Sequence, residues 1–159
     1  MRAFIIICFL GTSYLFGQGI PKNTPELNKK ILAFVEASIG KKIGRGECWD
    51  LAQKPLDKFD ADWNGLLKYG KVVNPKKVDI FPGDIIQFER VIVKYEQDGY
   101  KMTEQFAHHT AIVYRVDAKG SYQIAQQNTS FTGRKVGVSA LRLEDIKKGK
   151  ITFYRPIAK

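Results

Sequence analysis

The spacing of apolar residues changes period once along this chain, and that change restricts the fold more than any other feature. The segment Thr24-Pro25-Glu26 predicts a helix start, with a hydroxyl cap, a proline in the first turn and an acid near the positive end of the dipole. Leu27, Ile31, Phe34, Val35 and Ile39 follow at helical spacing, and Gly40 should end the helix. A second helix is expected to begin near Cys48 and to end or bend at Pro55. Residues 57–82 are mixed, with turn signals at Asn64-Gly65, Asn74-Pro75 and Pro82-Gly83-Asp84. From residue 85 onward the pattern is that of strands. We expect them at 85–95, 106–116, 121–127, 136–139 and 151–154, with Asp98-Gly99 as a hairpin turn and one helical turn at 143–146. Helices followed by antiparallel hairpins predict an α+β fold, with N-terminal helices packed on a sheet of five or six strands.

The apolar run 4–10 is preceded by Arg2 and followed by small residues up to Gly17. It is too short to span a membrane and has the layout of a cleavable export signal, residues 1–17. The expectation is a secreted or periplasmic protein whose single domain is 18–159. Lipidation at Cys8 is not expected, since no small residue precedes it. On this reading Cys48 is the cysteine left in the mature chain. A secreted protein with one cysteine cannot close an internal disulfide, so the thiol is inert, paired between chains, or reactive.

Lys plus Arg number 26 against 16 Asp plus Glu, a formal charge of +10. That excess suits anionic cell-envelope polymers as partners, and equally suits plain solubility. No basic helix or aromatic–basic repeat points to nucleic acid, and no transmembrane segment or oligomerisation signal is evident, so a monomer is expected.

Cys48 lies in Gly44-Arg45-Gly46-Glu47-Cys48-Trp49-Asp50-Leu51-Ala52, a glycine-punctuated loop running into the second helix. A thiol at a helix N-terminus should be shifted toward thiolate, which suits a nucleophile. A cysteine nucleophile needs a base, and the base needs a group to hold its tautomer. The two histidines are adjacent, His108 and His109, on the second strand, and Gln126, Gln127 and Asn128 close the third. Strand alternation would put Gln126 and Asn128 on one face.

Four segments, in this order, resemble the cysteine- and histidine-dependent amidohydrolase/peptidase family (CHAP) and the related NlpC-type cell-wall peptidases. They are Gly46-Glu47-Cys48, Phe81-Pro82-Gly83-Asp84-Ile85-Ile86-Gln87-Phe88, His109-Thr110-Ala111-Ile112-Val113 and Gln126-Gln127-Asn128. The resemblance runs from about residue 44 to 156. It implies a papain-like fold and a cysteine amidase or peptidase acting on peptidoglycan or another peptide substrate without a cofactor. Cys48 would be the nucleophile, His109 the base, and Gln126 or Asn128 the group that orients it. The backbone N–H of Cys48 would donate to the oxyanion. His108 would point to the opposite face. The family often has Glu where this chain has Gln126; an amide can orient an imidazole but does not balance its positive charge. The same segments, with Arg155-Pro156, are also similar to a papain-like domain at the end of fungal actin-patch adaptor proteins. That likeness implies a non-catalytic module that binds a peptide or protein.

Trp49 and Trp63 are candidates to line a substrate groove, although isolated aromatics more often pack in a core. Asp60-Ala61-Asp62-Trp63-Asn64-Gly65 mimics the start of a calcium loop, but Lys71 stands where the bidentate Glu is needed, and no zinc spacing exists, so no metal is expected.

Overall fold

The computed structural model describes residues 19–97 and 99–159. The expected leader, with Cys8, lies outside the described residues. Two helices, α1 (Glu26–Glu36) and α2 (Asp50–Lys58), precede six strands: β1 (Lys71–Val73), β2 (Ile85–Gln97), β3 (Tyr100–Ala118), β4 (Ser121–Gln126), β5 (Gly137–Arg142) and β6 (Ile146–Arg155). A single 3-10 turn, Leu143–Asp145, links the last two, as expected. The strands form one antiparallel sheet in the order β1-β6-β2-β3-β4-β5. The α+β architecture is therefore as expected, with the larger of the two strand counts. No helix among the described residues is long and apolar enough to cross a membrane.

Several boundaries differ from the sequence reading. Pro25 itself occupies the cap of α1, and the buried Thr24 hydroxyl makes no hydrogen bond. α1 stops at Glu36, before Gly40, because Ser38 turns back to bond the Phe34 carbonyl and Ile39 and Gly40 join Val136 instead. Pro55 does not end α2; it sits inside it, and the helix runs three residues further before Phe59 caps it. β1 and the first half of β6 are additional to the expected strands, and β3 begins six residues early, paired with β2 from Gln97↔Tyr100; Asp98 of the expected turn lies outside the described residues.

The sheet buries both faces. Ile31, Val35, Leu51 and Leu56 of the helices pack on Ile85, Ile112, Ala125 and Tyr154. The alternating residues Ile86, Phe88, Ala111, Val113, Ile124 and Phe153 form a second cluster, completed by Val91 and Val93 of the long β2 arm. A bulge near Arg90, which has φ 51, breaks the β2–β6 register and bends the arms at this point.

The Pro82-Gly83-Asp84 turn fastens α1 to the sheet. The Asp84 carboxylate, fully buried, accepts hydrogen bonds from Asn28 Nδ2 at 2.8 Å, Phe81 N at 2.9 Å, and Arg155 Nε and Nη2 at 3.1 and 2.8 Å. Gly83 has φ 86, and a Cβ there would lie 2.4 Å from the Asn28 carbonyl oxygen. Only glycine permits both the turn and the close approach of the helix. Two of the motif segments noted in the sequence, Pro82-Gly83-Asp84 and Arg155-Pro156, thus meet in one structural staple.

Candidate active site

The loop before α2 is shaped from two sides. The buried Asp50 carboxylate accepts from the backbone N–H of Arg45 at 2.7 Å and of Glu47 at 3.1 Å. From the sheet side Gln127, with no exposed surface, donates to the carbonyls of Ile43 at 3.0 Å and Glu47 at 2.8 Å, and accepts from Ile43 N at 3.1 Å. Together they present Cys48 two residues ahead of α2, half-buried against β3. The backbone N–H groups of Thr110, the residue that follows His109, and of Trp49 face its sulfur and favour the thiolate.

Burial pushes the Cys48 thiol up, Glu47 adds to the shift, and the backbone donors oppose it. The expected resting thiolate is therefore corrected: desolvation outweighs the favourable field of a helix start. Thr110 in turn belongs to a buried network. Its hydroxyl lies 3.0 Å from the Tyr69 hydroxyl and donates to Gln87 Oε1 at 2.8 Å. Burial raises the Tyr69 phenol to about 12.

His109 is 3% exposed. Its ring stacks on Phe106 with centroids 4.7 Å apart and lies 5.8 Å from the ring of Phe88. Nε2 lies 2.8 Å from Gln126 Oε1, and Gln126 Nε2 donates to Ser139 Oγ at 2.8 Å. With the amide oxygen toward the ring, Nε2 carries the proton and Nδ1 keeps its lone pair, the arrangement a general base requires. Burial lowers the imidazole to about 4, against the opposing bond to Gln126. Burial thus disfavours the charged form of each group, and no hydrogen bond joins the two.

Of the expected site residues, the structure brings Cys48 onto the β3 residue next to His109, and Gln126 onto His109. Asn128 does not join them. β4 ends at Gln126, so alternation no longer applies; Asn128 turns into a left-handed conformation, φ 61, and donates to Glu47 Oε2 at 2.9 Å. Trp49 is half-buried beneath the Arg45 guanidinium. Trp63 stacks on Tyr69, packs against the helical core and donates to Asp57 at 3.0 Å. His108 is exposed at the neighbouring strand position. Thr110, Tyr69 and Gln127 belong to the site without having been singled out for it. The one signal for Gln127 was its place between two candidates.

On the His109 side of the sheet a cleft of about 280 Å³ reaches Gln126 and Ser139. Its walls include Val93, Tyr95 and Phe131. Neither tryptophan lines it.

Residues 24–159 match the family model described as the AIM3/BBC1 cysteine proteinase-fold domain. The chain is 24% identical over 155 residues to Altered inheritance of mitochondria protein 3 of Debaryomyces hansenii, which takes in 85% of this chain and 16% of that protein. Among solved structures it is similar to the crystal structure of Ly7917, with TM-score 0.53 and 15% identity over 80% of this chain and 62% of that one. It is also similar to Ly7917 with the hydrolyzing product of MDP, with TM-score 0.54 and 16% identity over 81% and 62%. At these identities the structural likeness concerns the fold, which is papain-like, as the sequence motifs implied. The chain spans about a sixth of the curated relative and under two thirds of the Ly7917 chain.

Proposed function

The chain belongs to the AIM3/BBC1 cysteine proteinase-fold family, and on that footing we propose that it is an exported cysteine hydrolase of amide bonds, with peptide or cell-wall peptide as substrate. The observation that carries the reading is the chain of hydrogen bonds Ser139–Gln126–His109, which leaves Nδ1 as the free base one residue from the backbone N–H that meets the thiol. Because burial favours the uncharged forms, the reaction starts from thiol and imidazole. As Sγ attacks the carbonyl carbon, its proton passes to Nδ1, and the carbonyl electrons move to oxygen. Cys48 N–H, which donates to no backbone carbonyl, is placed to bind that oxyanion. Collapse expels the amine, which takes the proton from Nδ1 and leaves a thioester for water. Gln126 and Ser139 hold the ring in its resting orientation. His109 points to the Phe88 face of β3 while the thiol meets the backbone of Thr110 beside it, so turnover on this reading requires the ring to turn toward the strand edge where Sγ lies.

The test is digestion of purified peptidoglycan and of peptide amides, followed by mass analysis, with Cys48→Ala as control. Hydrolysis lost in a folded Cys48→Ala protein supports the proposal; equal activity in both proteins refutes it. N-terminal sequencing of exported material tests the leader, with a start near Gln18 expected and a retained Met1 contrary.

A second reading, a binding module that keeps the pocket without turnover, is favoured by burial, which disfavours the charged form of each group, and by the missing thiol–imidazole bond. It predicts partner binding unchanged in Cys48→Ala and no hydrolysis by the wild type.

A further inference from the structure

The cleft at Gln126 differs in charge from the molecule around it. The chain carries +10 overall. Yet the titratable lining is Glu96, Glu104 and Asp145 against one basic residue, Arg142. Arg142 is already engaged: Nε and Nη2 donate to the two oxygens of Asp145 at 2.8 and 3.1 Å, and Nη1 lies 3.4 Å from Glu144. Glu104 accepts the Tyr95 hydroxyl at 2.7 Å. Among the described residues no cation pairs with Glu96 or Glu104, although Lys101 stands opposite Glu96 in the hairpin register. The rest of the wall is apolar: buried Val93, the Tyr95 ring, Ala140 and Phe131, which is 76% exposed.

We infer that this cleft is the subsite for a long cationic side chain of the substrate: a lysine, an arginine or another amine on an alkyl stem. The stem lies along Val93 and Phe131, and the charged head reaches Glu96 and Glu104. An exposed carboxylate alone holds an amine weakly. A carboxylate at the end of an apolar slot does more, because the stem removes water from the slot and the head keeps its charge outside the core. The same carboxylates repel an acidic side chain, so the cleft discriminates by sign. Because the cleft ends on Gln126, a side chain seated in it carries its own backbone toward His109. The inference rests on the reading of the His109 side as the substrate side.

The experiment uses the isotope-labelled wild-type protein and three capped tripeptides, Ala-Lys-Ala, Ala-norleucine-Ala and Ala-Glu-Ala, followed by NMR titration. The lysine peptide is expected to shift the backbone amides of Phe131, Ser139 and Ala140 and the side-chain amide of Gln126, and to bind at least about tenfold tighter than the norleucine peptide. Glu104→Gln should cut lysine affinity about tenfold and leave norleucine affinity unchanged. Equal affinity for the lysine and norleucine peptides would overturn the inference. So would shifts that cluster away from the cleft, preference for the glutamate peptide, or an unaltered response in the Glu96→Gln, Glu104→Gln double variant. No hydrolysis is read, so an inert Cys48 leaves this test standing, and failure here leaves the hydrolysis test untouched.

Discussion

His109 should make the protein sensitive to acid, by an amount that follows from its burial. The imidazole is held at about 4 in the fold, against an ordinary value of 6.5. The folded pKa is the lower one, so between these values the unfolded chain binds more protons. Stability is whole above the unfolded pKa and falls as pH drops toward the folded one. Integrating the two titrations gives a loss of about 1.4 kcal/mol at about pH 5.5 and about 2.5 kcal/mol at about pH 4.5, tending to about 3.4 kcal/mol below both values. His109→Gln removes the titration while keeping a polar group within reach of Gln126. Urea unfolding of both proteins at about pH 8, 5.5 and 4.5 isolates the histidine, since carboxylates shared by the two cancel in the difference. Wild type should lose about 2.5 kcal/mol more than His109→Gln between the extremes. If the two proteins lose stability in parallel, the imidazole is not buried neutral, and the argument fails. NMR titration of the ring carbons gives a second check, with protonation of His109 expected well below the ordinary histidine range.

Three further outcomes are expected. Gln127→Ala strands the Ile43 and Glu47 carbonyls and the Ile43 N–H; unfolding curves should show a loss of about 2–3 kcal/mol, and Cys48 should react faster with a bulky disulfide reagent. Asp84→Asn leaves Arg155 without its charge partner inside the fold, and denaturant melts should register a cost of about 3–5 kcal/mol. Alkylation of Cys48 by iodoacetamide at neutral pH should be slower than that of a free small-molecule thiol, with the rate still rising at alkaline pH; a fast, flat profile through neutrality would reveal a standing thiolate–imidazolium pair.

The paired arms of the sheet were legible because their apolar residues recur at the right period and Asp98-Gly99 marks the reversal. β1 was not: it has three residues, and two of them are exposed. Most of the first half of β6, Lys147-Lys148-Gly149-Lys150, is exposed, so its pairing with β2 leaves little hydrophobic trace. At the candidate site, the meeting of His109 with Gln126 could be read from residue types and order. Choosing Gln126 over Asn128 could not, because it depends on where β4 stops. The direction of the thiol's shift was equally hidden: the helix start argues for thiolate, whereas burial against β3 pushes the pKa up. Thr110 and Gln127 act through backbone groups, Gln127 more than eighty residues from its partners, which no local spacing reports.

The position of β6 carries a consequence for how the chain can be made. The last strand lies between the first strand and the second, and Asp84 is gripped at once by Asn28 near one end of the described chain and Arg155 near the other. During synthesis β1 therefore has no sheet to join until residue 155 has cleared the ribosome, and the buried Asp84 carboxylate stays without its charge partner for the same interval. Closure depends on contacts distant in sequence, which slows folding and leaves the β2 edge unpaired in the interval. A chain that must cross a membrane before it folds gains from that delay, since it stays open until translocation is finished. One made and retained in the cytoplasm would need a chaperone to shield the same edge.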